Sequence, residues 1–282
     1  KWTFHLRKGM RWSDGVSFTA NDYVFAWNAL QTNLEFSPKG PQSVYESGGK
    51  LGQLDKINNY TIAYTFEEPY LLFSRAIANW PGAGPYAGGT AYAPEHYLSQ
   101  FHPDYASSVN LKMALSTTGT ENWPQLVRIK MAWWAGVGIP VTGPWVGITT
   151  ANDSVWRMER NPFYYVIDPA GNQLPYIDRW IFDKVEDKAA LNLKAISGEI
   201  DFQSRHIDLQ NLSMYREHEE KGGFVTYLYP SLEENDAALA MNITVEGPKR
   251  EYFSNADFRH ALSYAIDREA INDIAFLGLG VA

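Results

Sequence analysis

The side chains able to do chemistry in this sequence are scattered rather than gathered. Six histidines (His5, His96, His102, His206, His218 and His260) stand at spacings that build neither an HExxH pair nor any other close ligand set. His218-Glu219-Glu220 reads as a solvated helix end in preference to a ligand set. There is no cysteine, so disulfides, thiol nucleophiles and thiolate metal sites are excluded together. Neither a GxSxG elbow nor a GxxxxGK[ST] phosphate loop occurs. Gly136-Val137-Gly138 and Gly278-Leu279-Gly280 lack both the third glycine and the strand-to-helix setting of a dinucleotide site. The carboxylate pairs Glu67/Glu68 and Glu233/Glu234 are adjacent, and neighbours on a strand point to opposite faces, so neither pair can act jointly on one bond. A hydrolase would need carboxylates brought together from distant positions. No catalytic residue, metal or cofactor is expected.

Aromatic chemistry is plentiful, with 10 Trp, 17 Tyr and 14 Phe. Trp and Tyr combine an apolar face with a polar handle, so such rings either fill a core or stack on a ligand. For any single ring the core comes first.

The elements that must position these groups are legible in pattern. Trp2, Phe4 and Leu6 alternate with Thr3, His5 and Arg7, which predicts a half-buried strand. Trp12-Ser13-Asp14-Gly15 predicts a tight turn. Thr19 then caps a helix with Asp22 at the third position, an imperfect capping box since Asp replaces Glu or Gln. Ala20, Val24, Trp27 and Leu30 or Gln31 give that helix its stripe. Ser37 to Gly52 reads as a loop, Tyr60 to Phe66 as a strand, Tyr70 to Ala78 as an apolar helical segment and Trp80 to Gly89 as a glycine- and proline-rich loop. Helices follow at Ala93–Gln100, Asn110–Leu115 and Trp123–Trp134. A second Gly/Pro block spans Gly136 to Gly147. Strands are predicted at Val155–Glu159 and Arg179–Val185 around an Asp168-to-Gly171 turn, then a helix at Ala189–Ile196 stopped by Gly198. Further strands are expected at Ile200–Phe202, Phe224–Leu228 and Ala238–Met241. Asn255 and Asp267 cap two final helices. Strands and helices alternate throughout, which gives an α/β class with a mixed sheet.

Length and charge bound the rest. The 282 residues suit one large or two modest domains. The net charge is −8, from 24 basic and 32 acidic residues, with no basic cluster of the kind that neutralises phosphates, so nucleic acid is not an expected partner. No apolar run approaches the ~20 residues of a membrane span. The chain starts within a strand pattern, without an initiator Met or signal peptide, and stops just past a helix, so it reads as an internal piece of a longer protein.

Five blocks carry a resemblance. They are Trp2-Thr3-Phe4-His5-Leu6-Arg7-Lys8-Gly9-Met10-Arg11-Trp12-Ser13-Asp14-Gly15 with Phe18-Thr19-Ala20-Asn21-Asp22-Tyr23-Val24-Phe25; Glu68-Pro69-Tyr70; Thr142-Gly143-Pro144-Trp145 with Glu159-Arg160-Asn161-Pro162; Gly198-Glu199-Ile200-Asp201; and the stretch from Phe258 to Arg268. In this order they resemble the bacterial family 5 extracellular solute-binding proteins, the oligopeptide- and dipeptide-binding group of ABC importers. The stretch Asp168 to Asp178 is similar to a subset associated with oligosaccharides.

The resemblance implies a periplasmic-binding-protein-like α/β fold (type II, the large cluster with an extra subdomain), with a mixed-sheet lobe and the second lobe mostly missing. Residues 1–135 would be the extra subdomain of lobe one, 136–248 its core sheet and 249–282 the start of lobe two. It further implies an extracytoplasmic, membrane-associated lipoprotein or secreted monomer, periplasmic or extracellular. Such a protein grips an oligopeptide or oligosaccharide by lobe closure and passes it to the permease; the alternative weighed is a cleft hydrolase on peptides or glycans. The lobe-one wall corresponds here to Tyr70 to Tyr86 and to Met241-Asn242. Candidate ligand-binding residues are therefore Tyr70, Trp80, Tyr86, Met241 and Asn242: Trp80 for stacking, and Asn242 for an amide hydrogen bond unless it satisfies its own turn.

Overall fold

The computed structural model describes residues 1–78, 91–229 and 238–280. They group into two compact units, Lys1–Lys184 and Val185–Ala282. The three-part division implied by the resemblance refers to lobes of a longer protein and stays a proposal.

The first unit begins with strand β1 (Trp2–His5), as the alternation predicts. Its sheet runs in the order β1-β5-β4, all antiparallel, with β4 at Gln53–Asn58 and β5 at Thr61–Thr65. Trp2 lies opposite Tyr64 and Phe4 opposite Ile62, so the alternating sets meet on one face. That face holds a core of Trp27, Val44, Tyr45, Ile62, Tyr64 and Phe73. Central β5 is buried on both faces from Thr61 to Tyr64, because its other face carries only the small Thr61 and Ala63. Inside the expected Ser37–Gly52 loop lies a short hairpin, β2 (Glu46–Ser47) and β3 (Lys50–Leu51), turned by Gly48 and Gly49 at φ 60° and 73°.

Helix α1 (Ala20–Phe25) starts at the predicted cap: the Thr19 hydroxyl accepts the Asn21 N–H at 3.2 Å, and Asp22 Oδ2 accepts the Thr19 N–H at 2.8 Å. It continues as a π-helical stretch, Ala26–Gln31, closed by the Thr32 N–H on the Trp27 carbonyl at 2.9 Å. The extra residue per turn rotates the stripe. Ala20 and Trp27 thus enter the sheet core, while Phe25, Ala26, Ala29 and Leu30 enter a second core. This second core is completed by α3 (Glu95–Leu98), α4 (Ser108–Thr118) and α5 (Trp123–Met131) through Leu98, Trp123, Leu126 and Val127, with Phe101 and Leu115 beside them. Helix α2 (Phe73–Ala78) supplies Phe73 to the first core.

The third sheet joins β6 (Trp145–Gly147), β7 (Val155–Arg160) and β8 (Arg179–Asp183), antiparallel and in that order. Hydrogen bonds tie together the two stretches of one recognised block. The fully buried Asn161 donates through Nδ2 to the Gly143 carbonyl at 2.9 Å, and its backbone N–H donates to the Pro144 carbonyl at 2.8 Å. Ser13 ties the first block to the same segment: its N–H donates to the Val141 carbonyl at 2.9 Å and its Oγ accepts the Val141 N–H at 3.0 Å.

The second unit is helical where described. Helices α6 (Lys188–Ile196), α9 (Ala256–Tyr264) and α10 (Arg268–Phe276) are capped by Asp187, Asn255 and Asp267. Helices α7 (Leu212–Gly222) and α8 (Lys249–Ser254) complete the set. Its only buried hydrophobic side chains among the described residues are Leu191 and Tyr215. The strands expected at Ile200–Phe202 and Phe224–Leu228 do not form, nor do the described residues of Ala238–Met241 adopt strand structure. Alternation marks a strand only where another backbone offers a ladder, and no described segment of this unit does so.

One buried carboxylate ties the first unit together. Asp22 is 3% exposed and accepts the Trp12 indole N–H and the Glu95 backbone N–H, both at 3.2 Å, besides that of Thr19. Burial pushes its pKa up to about 6 against these hydrogen bonds. The folded carboxyl therefore keeps its proton to about pH 6, while an unfolded one loses it near pH 4. The native state binds the extra proton across that window, so stability from this group falls as pH rises from about 4 to about 6. Urea unfolding across that range will show this slope in the parent and lose it in Asp22→Asn. Asp22→Ala, which strands three donors, costs about 2–4 kcal/mol.

Candidate functional site

The residues singled out from the sequence fall in separate places. Tyr70 is half-buried; its carbonyl accepts the Trp2 indole N–H at 2.8 Å, and its ring packs at 5.3 Å from Phe66 and 5.4 Å from Phe73. Its position is thus set by the first core. Trp80 and Tyr86 lie outside the described residues. Met241 is half-buried and Asn242 exposed, in the second unit. Asn242 Oδ1 accepts the Thr244 N–H at 3.1 Å and the Thr244 hydroxyl at 2.8 Å, which is the self-satisfied turn weighed above. A ligand contact from Asn242 would have to come from its NH2 group.

His102, fully buried, shows how a histidine here serves the core. Its Nδ1 accepts the Asp104 N–H at 3.2 Å, so the proton sits on Nε2 and donates to the Ala29 carbonyl at 3.2 Å. Burial lowers its pKa and keeps the ring neutral. Among the described residues no group of three His, Asp or Glu is placed to hold a metal. No described helix is long and apolar enough to cross a membrane.

Outside the two cores lies an organised aromatic array that residue-by-residue reading missed. On one face of the third sheet, Trp156 lies opposite Phe182 and Met158 opposite Trp180. Ring centroids follow at 5.4 Å (Trp133–Trp156), 4.9 Å (Trp156–Phe182), 5.1 Å (Phe182–Trp180) and 5.6 Å (Trp180–Trp145). The two middle pairs are stacked, with interplanar angles of 25° and 16°. Parallel rings this close cover each other's faces, so the row presents edges rather than an open stacking plane. Its most exposed ring is Trp180, at 38%. The i, i+2 spacing of Trp180 and Phe182 inside a predicted strand was the signal that would have found it. Beside the row, Tyr92, Pro94, Met131, Trp133 and Ile139 line a pocket of only about 10 Å³, at most one water.

With this geometry in hand, comparison with known proteins is decisive at the family level. The model of the bacterial extracellular solute-binding proteins, family 5 (middle region), matches residues 1–282. The chain belongs to this family. A relative, the periplasmic alpha-galactoside-binding protein of Rhizobium meliloti, is 29% identical over 99% of the chain and 38% of its own length. Among solved structures, an oligopeptide-binding protein OppA matches with a TM-score of 0.74 and 32% identity, over 99% of this chain and 43% of that one. MelB from Agrobacterium fabrum, solved with stachyose, matches in fold with a TM-score of 0.62 and 22% identity over 97% and 39% of the two chains. The fold is accordingly that of the periplasmic binding proteins, and the chain spans about two fifths of the length of these three proteins.

Within this family 5 chain the aromatic row acts as a stiff floor. Trp156→Ala removes the ring between Trp133 and Phe182 and costs about 2–4 kcal/mol. Trp180→Ala, at a more exposed ring, costs less than half of that. Paired urea-unfolding curves check the ranking.

Proposed function

We propose that this chain is part of the extracytoplasmic solute-binding component of an ABC importer, which captures an oligosaccharide or oligopeptide between two lobes and releases it unchanged to the permease. The observation that carries this reading is the match of the family model along the whole chain, joined to a periplasmic-binding-protein fold. The protein would work as a monomer, periplasmic or extracellular and associated with the membrane, its partners being the small ligand and the permease subunits. Tyr70, Trp80, Tyr86, Met241 and Asn242 remain the proposed contributors to the ligand wall. Support for the saccharide comes from the alpha-galactoside-binding relative, and for the peptide from OppA. The hydrolytic alternative has no observation in its favour.

Closure on ligand is a population shift, so the ligand must prefer the closed form. A micromolar ligand releases about 8 kcal/mol in all. Reversing a 1:99 open bias needs about 5.5 kcal/mol of preference, so the free protein cannot favour the open state by much more. Thermal unfolding of the full-length protein with stachyose-type galactosides and with short peptides tests the reading. One class, at about a hundred times its Kd, will stabilise by about 2.7 kcal/mol and be recovered intact. No shift with either class, or consumption of the ligand, would sink the proposal.

A further inference from the structure

The first thirteen residues hold Lys1, Arg7, Lys8 and Arg11 and no acid, in a chain whose net charge is −8. After β1 the chain reverses through Gly9 at φ 83°, with the Phe18 N–H on the Met10 carbonyl at 2.9 Å. This turn brings Arg7, Lys8 and Arg11 to one side of an open cleft of about 330 Å³. Phe163, Tyr164, Tyr165 and Gln173 line the rest.

Both sides are held in place. Asn161 Oδ1 accepts the Phe163 N–H at 2.9 Å, and Gln173 Nε2 donates to the Pro162 carbonyl at 2.9 Å and the Tyr164 carbonyl at 2.7 Å. The Arg7 guanidinium lies 5.4 Å from the Tyr165 ring centroid, and Nη1 of Arg11 donates to the Gly15 carbonyl at 2.7 Å. A guanidinium has five N–H donors, so these anchors leave most of each fork for a visitor. None of the three cations forms an ion pair among the described residues. Asp14, the first acid in the chain, is engaged by His96 at 2.7 Å and by the Val16 N–H at 3.1 Å.

We propose that this cleft is a docking site for an acidic polypeptide segment of a partner protein, its carboxylates on Arg7, Lys8 and Arg11 and its side-chain stems against Phe163 and Tyr165. Charge complementarity selects the sign, since three unpaired cations converge on an otherwise acidic molecule. Guanidinium forks match carboxylates two bonds at a time. The shape selects the class: a recess takes side chains of one segment, whereas a flat anionic bilayer meets protruding cations. The half-exposed rings of Phe163 and Tyr165, at 40% and 39%, provide apolar walls that a bare inorganic anion would leave unused. The site shares no residue with the proposed ligand wall and does not depend on the transport reading.

Fluorescence anisotropy on the full-length protein, with a labelled Glu-Glu-Tyr-Glu-Glu-Tyr peptide and its Gln-for-Glu counterpart, tests it. The acidic peptide will bind and the Gln peptide will not. The triple variant Arg7→Gln, Lys8→Gln, Arg11→Gln will weaken binding about ten- to a hundredfold, each exposed pair contributing a factor of about two to five, with the melting temperature unchanged. Arg7→Lys with Arg11→Lys will keep most of the affinity, and high salt will weaken it. Loss confined to the triple variant separates this site from uptake of the same peptide as a transported solute. Equal binding by the triple variant, equal binding of the Gln peptide, full displacement by inorganic phosphate, or capture on phosphatidylglycerol vesicles through the same three cations would each overturn the proposal.

Discussion

The first unit depends on a carboxylate that water barely reaches. Asp22 caps its own helix, holds the Trp12 indole above the opening turn and receives the first N–H of α3. The opening turn, the start of α1 and the start of α3, the last 73 residues further on, thereby share one acceptor group. The arrangement carries a cost, because a buried charge without water is expensive, and its raised pKa measures what the hydrogen bonds fail to recover. Ser13 and Asn161 extend the same logic outward, one to Val141 and the other to Gly143 and Pro144. The recognised stretches around Ser13, Asp22, Gly143 and Asn161 are, in this light, fastening points of the unit.

Much of that scaffold is legible from the residues, for reasons that can be named. β1, β5, β7 and β8 announce themselves by alternation, and the caps at Thr19, Asn255 and Asp267 by side-chain type, since both signals are local. β4 escaped because Gln53-Leu54-Asp55-Lys56 has no apolar rhythm; it is an edge strand, formed on the backbone that β5 presents. Of α7 only the end at His218-Glu219-Glu220 was legible, because Leu212 and Tyr215 stand in a run of charge and the Tyr215 hydroxyl is held by Asn192 of α6. The strands foreseen in the second unit failed for the opposite reason, a strong local rhythm with no ladder to join. Of the proposed ligand wall, Tyr70 has a ring and a carbonyl that serve the core as described.

The aromatic content divides between two uses. In the cores of the first unit, rings such as Trp27, Tyr45 and Tyr64 pack edge and face and make a dense interior. On the third sheet, the same residue types line up across strands and stack on each other. A stacked row has spent its faces internally, so abundance of Trp in this chain is first an account of stiffness. Recognition of a sugar or peptide would then draw on hydrogen-bonding groups and on rings outside the row.

The π-helical stretch after α1 has a consequence for how the unit moves. Because one helix, with a single extra residue in its turn, delivers Trp27 to one core and Phe25, Ala29 and Leu30 to the other, neither core can slip against its neighbour without twisting a shared shaft. Close-packed interiors transmit such torsion instead of absorbing it. Thermal agitation of this region should therefore behave like that of a solid paddle, with the give concentrated outside it.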